Sequence, residues 1–309
     1  MRKILALCLV LLTCFFPSFI YAEEGSFQFE EFECYCYEDG TVEISRWNGD
    51  EESLIIPDEI NGKQVTIIGI DAFMNCLSLR EVKLPNSLTE IADCAFFNCA
   101  ELKEIEIPIS VTTIGRRAFI GCWRFTSIEI PDSVTMIGGG AFAACDVLKE
   151  VSVSQNNVNY AVIDNVLFDK REKKLVCCPA GLVTDEYSIP EGILTIGNEA
   201  FGGCDFTRIV IPNTVTKIED LGFSNCINLL SLELPNSITE IGAQAFSNCH
   251  SMTSIKIPNS VTSIGPDAFI HCNEIQLIVA RDSYAAQYAE ENGLSYTYSE
   301  VNENDWLNN

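Results

Sequence analysis

Both histidines of the chain, His250 and His271, stand immediately beside or before a cysteine, Cys249 and Cys272. A thiol and an imidazole together suit two kinds of chemistry, a cysteine nucleophile activated by a base and a zinc site. The first needs a single thiol held against a single base in space, which a dipeptide does not establish. The second needs ligands at tight spacings, and these histidines and cysteines match no such pattern. The chain also lacks a Walker loop, an HExxH helix, a nucleophile elbow and a dinucleotide fingerprint. Nothing selects one carboxylate pair among the scattered Asp and Glu residues. The expectation is therefore a non-enzyme, with no catalytic residue, metal ligand or cofactor.

What Cys249 does is answered by its surroundings. "NSITEIGAQAFSNCHSMTSIKIP", ending at Pro258, has counterparts in "NSLTEIADCAFFNCAELKEIEIP", ending at Pro108, and "ISVTTIGRRAFIGCWRFTSIEIP", ending at Pro131. The step is 23 residues. One phase of this repeat is cysteine eight times: Cys76, Cys99, Cys122, Cys145, Cys204, Cys226, Cys249 and Cys272. A second phase is phenylalanine from Phe73 to Phe269, and a third is isoleucine from Ile68 to Ile264. Self-similarity at such a period marks a solenoid, in which each turn hides its apolar face only against its neighbours. An enzyme needs one nucleophile, whereas a solenoid needs the same small buried residue in every turn. The eight cysteines are read as a structural ladder, each thiol donating weakly to a loop carbonyl. Parallel side chains one strand spacing apart hold their Cβ atoms about 4.8 Å apart, too far for a relaxed disulfide at about 3.5–4.5 Å. The ladder is expected to be reduced.

The elements that place these residues follow from the same period. Segments such as "LKEIEIP" (102–108) alternate apolar and polar residues, a strand signal. Stacked turn upon turn, they predict a leucine-rich repeat solenoid of 23-residue period with a parallel sheet along one face. The "SVTxIG" segment that follows brings glycine to one phase at Gly69, Gly115, Gly138, Gly197, Gly242 and Gly265, read as a tight bend at positive φ. Departures from the repeat are Ser154 in place of proline, Glu219 and Gly222 in place of Gly and Ala, and one residue fewer between Cys204 and Pro212. Each is expected to distort its turn locally. Among the other cysteines, Cys34 and Cys36 share a strand face in a terminal cap. Cys177 and Cys178 point oppositely on a hairpin, which leaves one exposed, and Cys94 lies in a variable turn as a surface thiol.

The eight "AFxxCxxLxxIxIP"-like copies resemble the BspA-type leucine-rich repeats of secreted and surface proteins, over about residues 35–298. The resemblance implies an entry segment in 38–69, an inserted β-hairpin in "NYAVIDNVLFDKREKKLVCCPAG" (159–181) and a helix-plus-strand cap in 282–298. The organisation expected is a signal peptide at 1–22, an acidic β cap at 23–64 and repeats at 65–154. The hairpin insert at 155–189, repeats at 190–281, the C-terminal cap at 282–298 and an acidic disordered tail at 299–309 follow. The resemblance also implies adhesion to host matrix or cell-surface proteins, or coaggregation between microbes.

Residues 1–22, "MRKILALCLVLLTCFFPSFIYA", have the basic start, short apolar core and small final residue of a secretory signal. The expected location is therefore secreted or at the cell surface, with no membrane span in the mature chain. Net charge is −25, and no basic patch exists to neutralise phosphates, which argues against nucleic acid. Binding is expected on the solvent side of the strands, where Lys83, Glu104, Glu106, Glu129, Glu150, Arg208, Glu233 and Lys256 supply charge for a protein partner. The alternative is a structural envelope component whose arrays associate with each other.

Overall fold

The computed structural model describes residues 24–299. The signal-peptide segment 1–22, and the acidic tail apart from Ser299, lie outside the described residues.

One turn shows how the sequence closes on itself. Strand Glu81–Lys83 runs to a corner at Pro85, strand Glu90–Ile91 follows, a looped side carries Phe96 and Cys99, and the chain returns as strand Glu104–Ile105 one level up. The expected parallel ladder is present: Glu81 pairs with Glu104, Ser127 with Glu150, and Arg208 with Ser231. A second parallel ladder, where the sequence predicts only the approach to a bend, runs through Lys63–Ile68, Glu90–Ile91, Thr113–Ile114 and Met136–Ile137. Each of its strands is only two to six residues long, too short for a period-2 pattern to reveal. On the third side, loops bond to loops: Phe73 N–H donates to Ala95 O and Asn75 N–H to Phe97 O, each at 2.8 Å. Successive turns are thus tied through strands and loops alike, which satisfies most of the backbone groups that stacking buries.

The glycine phase corrects an expectation. Gly115, Gly138, Gly242 and Gly265 do not have positive φ. They are small because the previous turn passes against them: an added Cβ would lie 2.4 Å from Ala92 C at Gly115 and 2.3 Å from Ala243 N at Gly265. The left-handed positions are two others in each loop. One holds Asp71, Cys94, Arg117, Gly140, Glu199, Leu221, Gln244 and Asp267; the other, just before each ladder cysteine, holds Asn75, Asn98, Gly121, Ala144, Gly203, Asn225, Asn248 and His271. Asn and Gly dominate the second, as the sterics of that region favour. The replacements at Glu219 and Gly222 leave the register intact, since Ile196, Ile218 and Ile241 pair in sequence. Ser154 uses the N–H that a proline lacks, donating to Ile130 O at 2.9 Å.

Inside, like stacks on like. Phe73, Phe96, Phe119 and Phe142 form one column with ring centroids 4.9, 5.4 and 5.7 Å apart, and Phe201, Phe223, Phe246 and Phe269 a second at 5.0, 5.4 and 5.3 Å. Trp47 closes the first column against Phe73, and Tyr288 of helix Tyr284–Glu291 closes the second edge-on against Phe269. Full burial of one such ring contributes about 1.5–3 kcal/mol.

The columns are separated by the insert, strands Tyr160–Ile163, Val166–Asp169 and Lys174–Cys177. Its two faces serve two cores. Val166, Phe168 and Leu175 pack with the C-terminal turns, while Leu167, Val176 and Cys177 pack with the N-terminal turns. Cys177 and Cys178 do point to different cores, but neither is exposed; each is buried, because the hairpin has protein on both sides. Cys178 occupies the phenylalanine phase of its turn, its N–H bonding Ala200 O as Phe201 N–H bonds Gly222 O. Beside the hairpin the loops rejoin directly: Gly140 N–H donates to Asn198 O at 3.1 Å, and Arg117 pairs with the buried Glu199 across 82 residues of sequence.

Gly265→Ala is expected to destabilise the chain by about 1–3 kcal/mol, the usual cost of forcing atoms into a packed site. Gly192→Ala, where a Cβ meets nothing within 4 Å but φ is +93, isolates backbone strain from crowding. Chemical denaturation of the two variants checks the difference.

Candidate functional site

The strand ladder that carries the proline corners has an inward and an outward face. Val82, Ile105, Ile128, Val151, Ile209, Leu232, Ile255 and Leu277 are all buried, and the residues between them point to solvent. In the N-terminal half this outer face forms an open depression of about 860 Å³. Lys83, Glu104, Glu106 and Glu129 line it, together with Ser53, Glu81 and the exposed Ile55. Four of the eight expected binding residues are therefore brought together. Glu150 extends the same face, in register with Ser127.

The other three are placed differently. Arg208, Glu233 and Lys256 lie beyond the insert, where the ladder restarts as strands Glu186–Ser188, Arg208–Val210 and Ser231–Leu232. There one ion pair crosses the ladder, Arg208 lying 3.6 Å from Glu186, and Glu233 sits beside Lys256 through a backbone β-bridge. In the N-terminal half Glu81 faces Glu104, carboxylate beside carboxylate. The nearby Arg80 is engaged at the rim by Glu52 at 2.8 Å and Glu101 at 3.9 Å. An ion pair thus joins neighbouring strands beyond the insert, whereas before it the register sets Glu81 beside Glu104. Sequence alignment of the turns missed Glu186 and Ile55 because both lie on strands outside the 23-residue register, at the exit of the insert and at the entry of the array. A strand signal in "SLIIP" and "EYSIP" was the available clue.

The cysteine ladder is internal. Sγ of Cys99, Cys122, Cys145, Cys226, Cys249 and Cys272 each donates to the carbonyl of the phenylalanine in the preceding turn, at 2.9–3.3 Å. Cys204 donates to Cys178 O at 3.4 Å, the residue that replaces phenylalanine there. Cys76, in the first full turn, is half-buried. Burial pushes Cys122 up to about 12 and holds Cys145, Cys204 and Cys226 well above the ordinary thiol range. Contact with the Cys272 thiol, and then burial, raises Cys249. His250 turns away from it, its Nδ1 lying 3.0 Å from His271 O. A buried, protonated thiol with no imidazole against it is no nucleophile. Cys34 and Cys36 are buried in the N-terminal cap, and Cys94 is half-buried at φ +56. Among the described residues no group of three His, Cys, Asp or Glu side chains is placed to hold a metal ion, and no helix is long and apolar enough to cross a membrane.

With the fold in view, the class is plain: a parallel β-solenoid of leucine-rich repeats. A profile of the BspA type leucine rich repeat region matches residues 52–173 and 183–289, in six copies; the chain belongs to that family. Among solved structures, a leucine-rich repeat protein from Eubacterium ventriosum is 20% identical with a TM-score of 0.63, covering 82% of this chain and 77% of the other. The pneumococcal vaccine antigen PcpA is 17% identical with a TM-score of 0.55, covering 90% and 100%. A leucine rich cell surface protein from Faecalibacterium prausnitzii is 23% identical with a TM-score of 0.50, covering 92% and 97%. At these identities the likeness is one of fold. No curated protein matches the chain.

Two outcomes are expected for the thiols. In the folded protein a thiol reagent should reach Cys76 and Cys94 within minutes, and the eleven buried cysteines only after unfolding. Stability should also fall as pH rises above the ordinary thiol value of 9.0 toward about 12, because unfolded-state thiols ionise there while Cys122 stays protonated. Each such thiol contributes a slope of up to about 1.4 kcal/mol per pH unit. Denaturation at stepped pH should show a shallower slope for Cys122→Val.

Proposed function

We propose that the protein is a secreted or cell-surface recognition protein that binds a basic protein surface through the N-terminal half of its outer sheet face. The observation that carries this reading is the depression lined by Glu104, Glu106, Glu129 and Glu81, in which Glu81 and Glu104 pair in register with no cation between them. Like charges side by side are retained at a cost that a cationic partner removes. Exposed Ile55, beside Lys83 in the ladder, supplies an apolar contact at one end. The signal-like residues 1–22 and the cell-surface description of the Faecalibacterium relative support the location. Adhesion to host or neighbouring-cell proteins is the role this surface suits.

A second reading, self-association into an envelope layer, draws support from the two ends of the array. Strand Gly25–Phe29 pairs only with Phe32–Cys36, and Ser295–Tyr298 only with Gln276–Val279, so among the described residues each leaves one edge open. Open edges invite pairing with another chain.

Binding of the mature chain to a panel of immobilised extracellular proteins separates the two readings. The recognition reading expects saturable binding that weakens as salt rises and is lost in Glu106→Lys with Glu129→Lys. Glu233→Lys, on the part of the face beyond the insert, should change it little. Concentration-dependent sedimentation with no foreign ligand bound would favour self-association instead.

A further inference from the structure

Where the insert splits the array, it leaves a cavity of about 250 Å³ between strand Met136–Ile137 and the hairpin. That is below the roughly 300–1,000 Å³ of drug-sized sites, room for one small molecule. Two sets of polar groups around it lack partners that their counterparts elsewhere in the solenoid possess, and a third carries an unpaired charge.

The first set is a strand edge. In the preceding turn Thr112 O accepts from Thr135 and Met136 N–H, and Ile114 O accepts from Gly138 N–H. The equivalent carbonyls one turn on, of Thr135 and Ile137, receive no donor among the described residues, because the hairpin stands where the next strand would lie. The second is Tyr160, only 3% exposed. Its hydroxyl accepts the Ile137 N–H at 2.8 Å, and no acceptor among the described residues takes its proton. The corresponding cap at the C-terminal end is complete: Tyr288 hydroxyl accepts from Ala268 N–H and donates to Gly265 O. Burial pushes the Tyr160 phenol up to about 12, so it remains a donor. The third is the exposed Arg171, whose guanidinium makes no ion pair among the described residues, while its neighbour Lys174 is held by Glu172 and lies 4.0 Å from Glu219. The buried Asp169 also lines the cavity, its carboxylate already accepting from the Arg171 and Glu172 N–H groups.

These groups ask for opposite things. Arg171 and the Tyr160 hydroxyl suit an anionic acceptor, and the two carbonyls suit N–H donors, while Asp169, Glu172 and Glu219 on the lining favour positive charge. A simple anion leaves the carbonyls bare, and a neutral sugar leaves the guanidinium unpaired. A molecule carrying a carboxylate and an ammonium satisfies both. Met136, 60% exposed, and Val176 give its side chain an apolar wall. We propose that the cavity at the insert seam, bounded by Thr135, Ile137, Tyr160 and Arg171, binds a free amino acid with an apolar side chain. The site is separate from the acidic sheet face and does not depend on it.

Calorimetric titration of the folded mature chain with methionine, leucine and phenylalanine tests this, with glucose and acetate as the neutral and anionic arms. The expected result is saturable binding of at least one amino acid, and its loss when the methyl ester or the N-acetyl derivative replaces it. Arg171→Met should weaken binding by roughly tenfold to a hundredfold, the range for losing a charge-assisted hydrogen bond. The ligand derivatives keep the test decisive even if that variant fails to fold. Absence of binding by all three amino acids overturns the proposal. So does binding that persists unchanged in the methyl ester or in Arg171→Met, or binding by glucose or acetate alone.

Discussion

The structure depends on one constraint: every turn must present to the next the surface that the last presented to it. Neighbouring backbones lie one strand spacing apart, so a residue in one phase touches its own counterpart above and below. That is why phenylalanine stacks on phenylalanine at about 5 Å, why Thr89, Thr112 and Thr135 each donate a hydroxyl to the carbonyl of the turn before, and why a thiol recurs eight times. A residue that suits one turn suits all. The same constraint explains the glycine phase, where the approach of successive backbones leaves no room for a Cβ.

The interruptions carry the individuality of the chain. At the hairpin the phenylalanine column stops at Phe142 and restarts at Phe201, with Cys178 in the vacant phase. Two faces of one thin insert seal two cores. Rejoining is left to the loops and to Arg117, whose pairing with Glu199 offsets the cost of burying that carboxylate; burial raises the Glu199 carboxyl, and Arg117 opposes the rise. The result is a rod with an internal seam, where hydrogen-bonding groups of the regular ladder lose their partners.

The outer sheet face shows the converse of the interior. Its side chains are not required to match, because solvent separates them, and here the two halves diverge. Beyond the insert, Arg208 pairs with Glu186 across the ladder; before it, Glu81 lies in register beside Glu104. Packing imposes sameness on the inner residues, and the outer columns are where a solenoid of this family is free to become a particular binding surface.

The period, the inward phases and the reading of Cys249 as framework were legible in the sequence, because burial against identical neighbours writes itself as repetition. The alternating strands were legible for the same reason, and so were Lys83, Glu104, Glu106 and Glu129 as outward residues. Only the tertiary structure revealed the second ladder, most of whose strands are two residues long and too brief to leave a pattern, and the true role of the glycines, which lies in contacts between turns. It also decided that Cys177 and Cys178 are both buried and that Arg117 reaches Glu199. Those outcomes depend on what stands across a gap of tens of residues. A repeat announces its own neighbour, whereas an insertion meets surfaces that its local sequence does not describe.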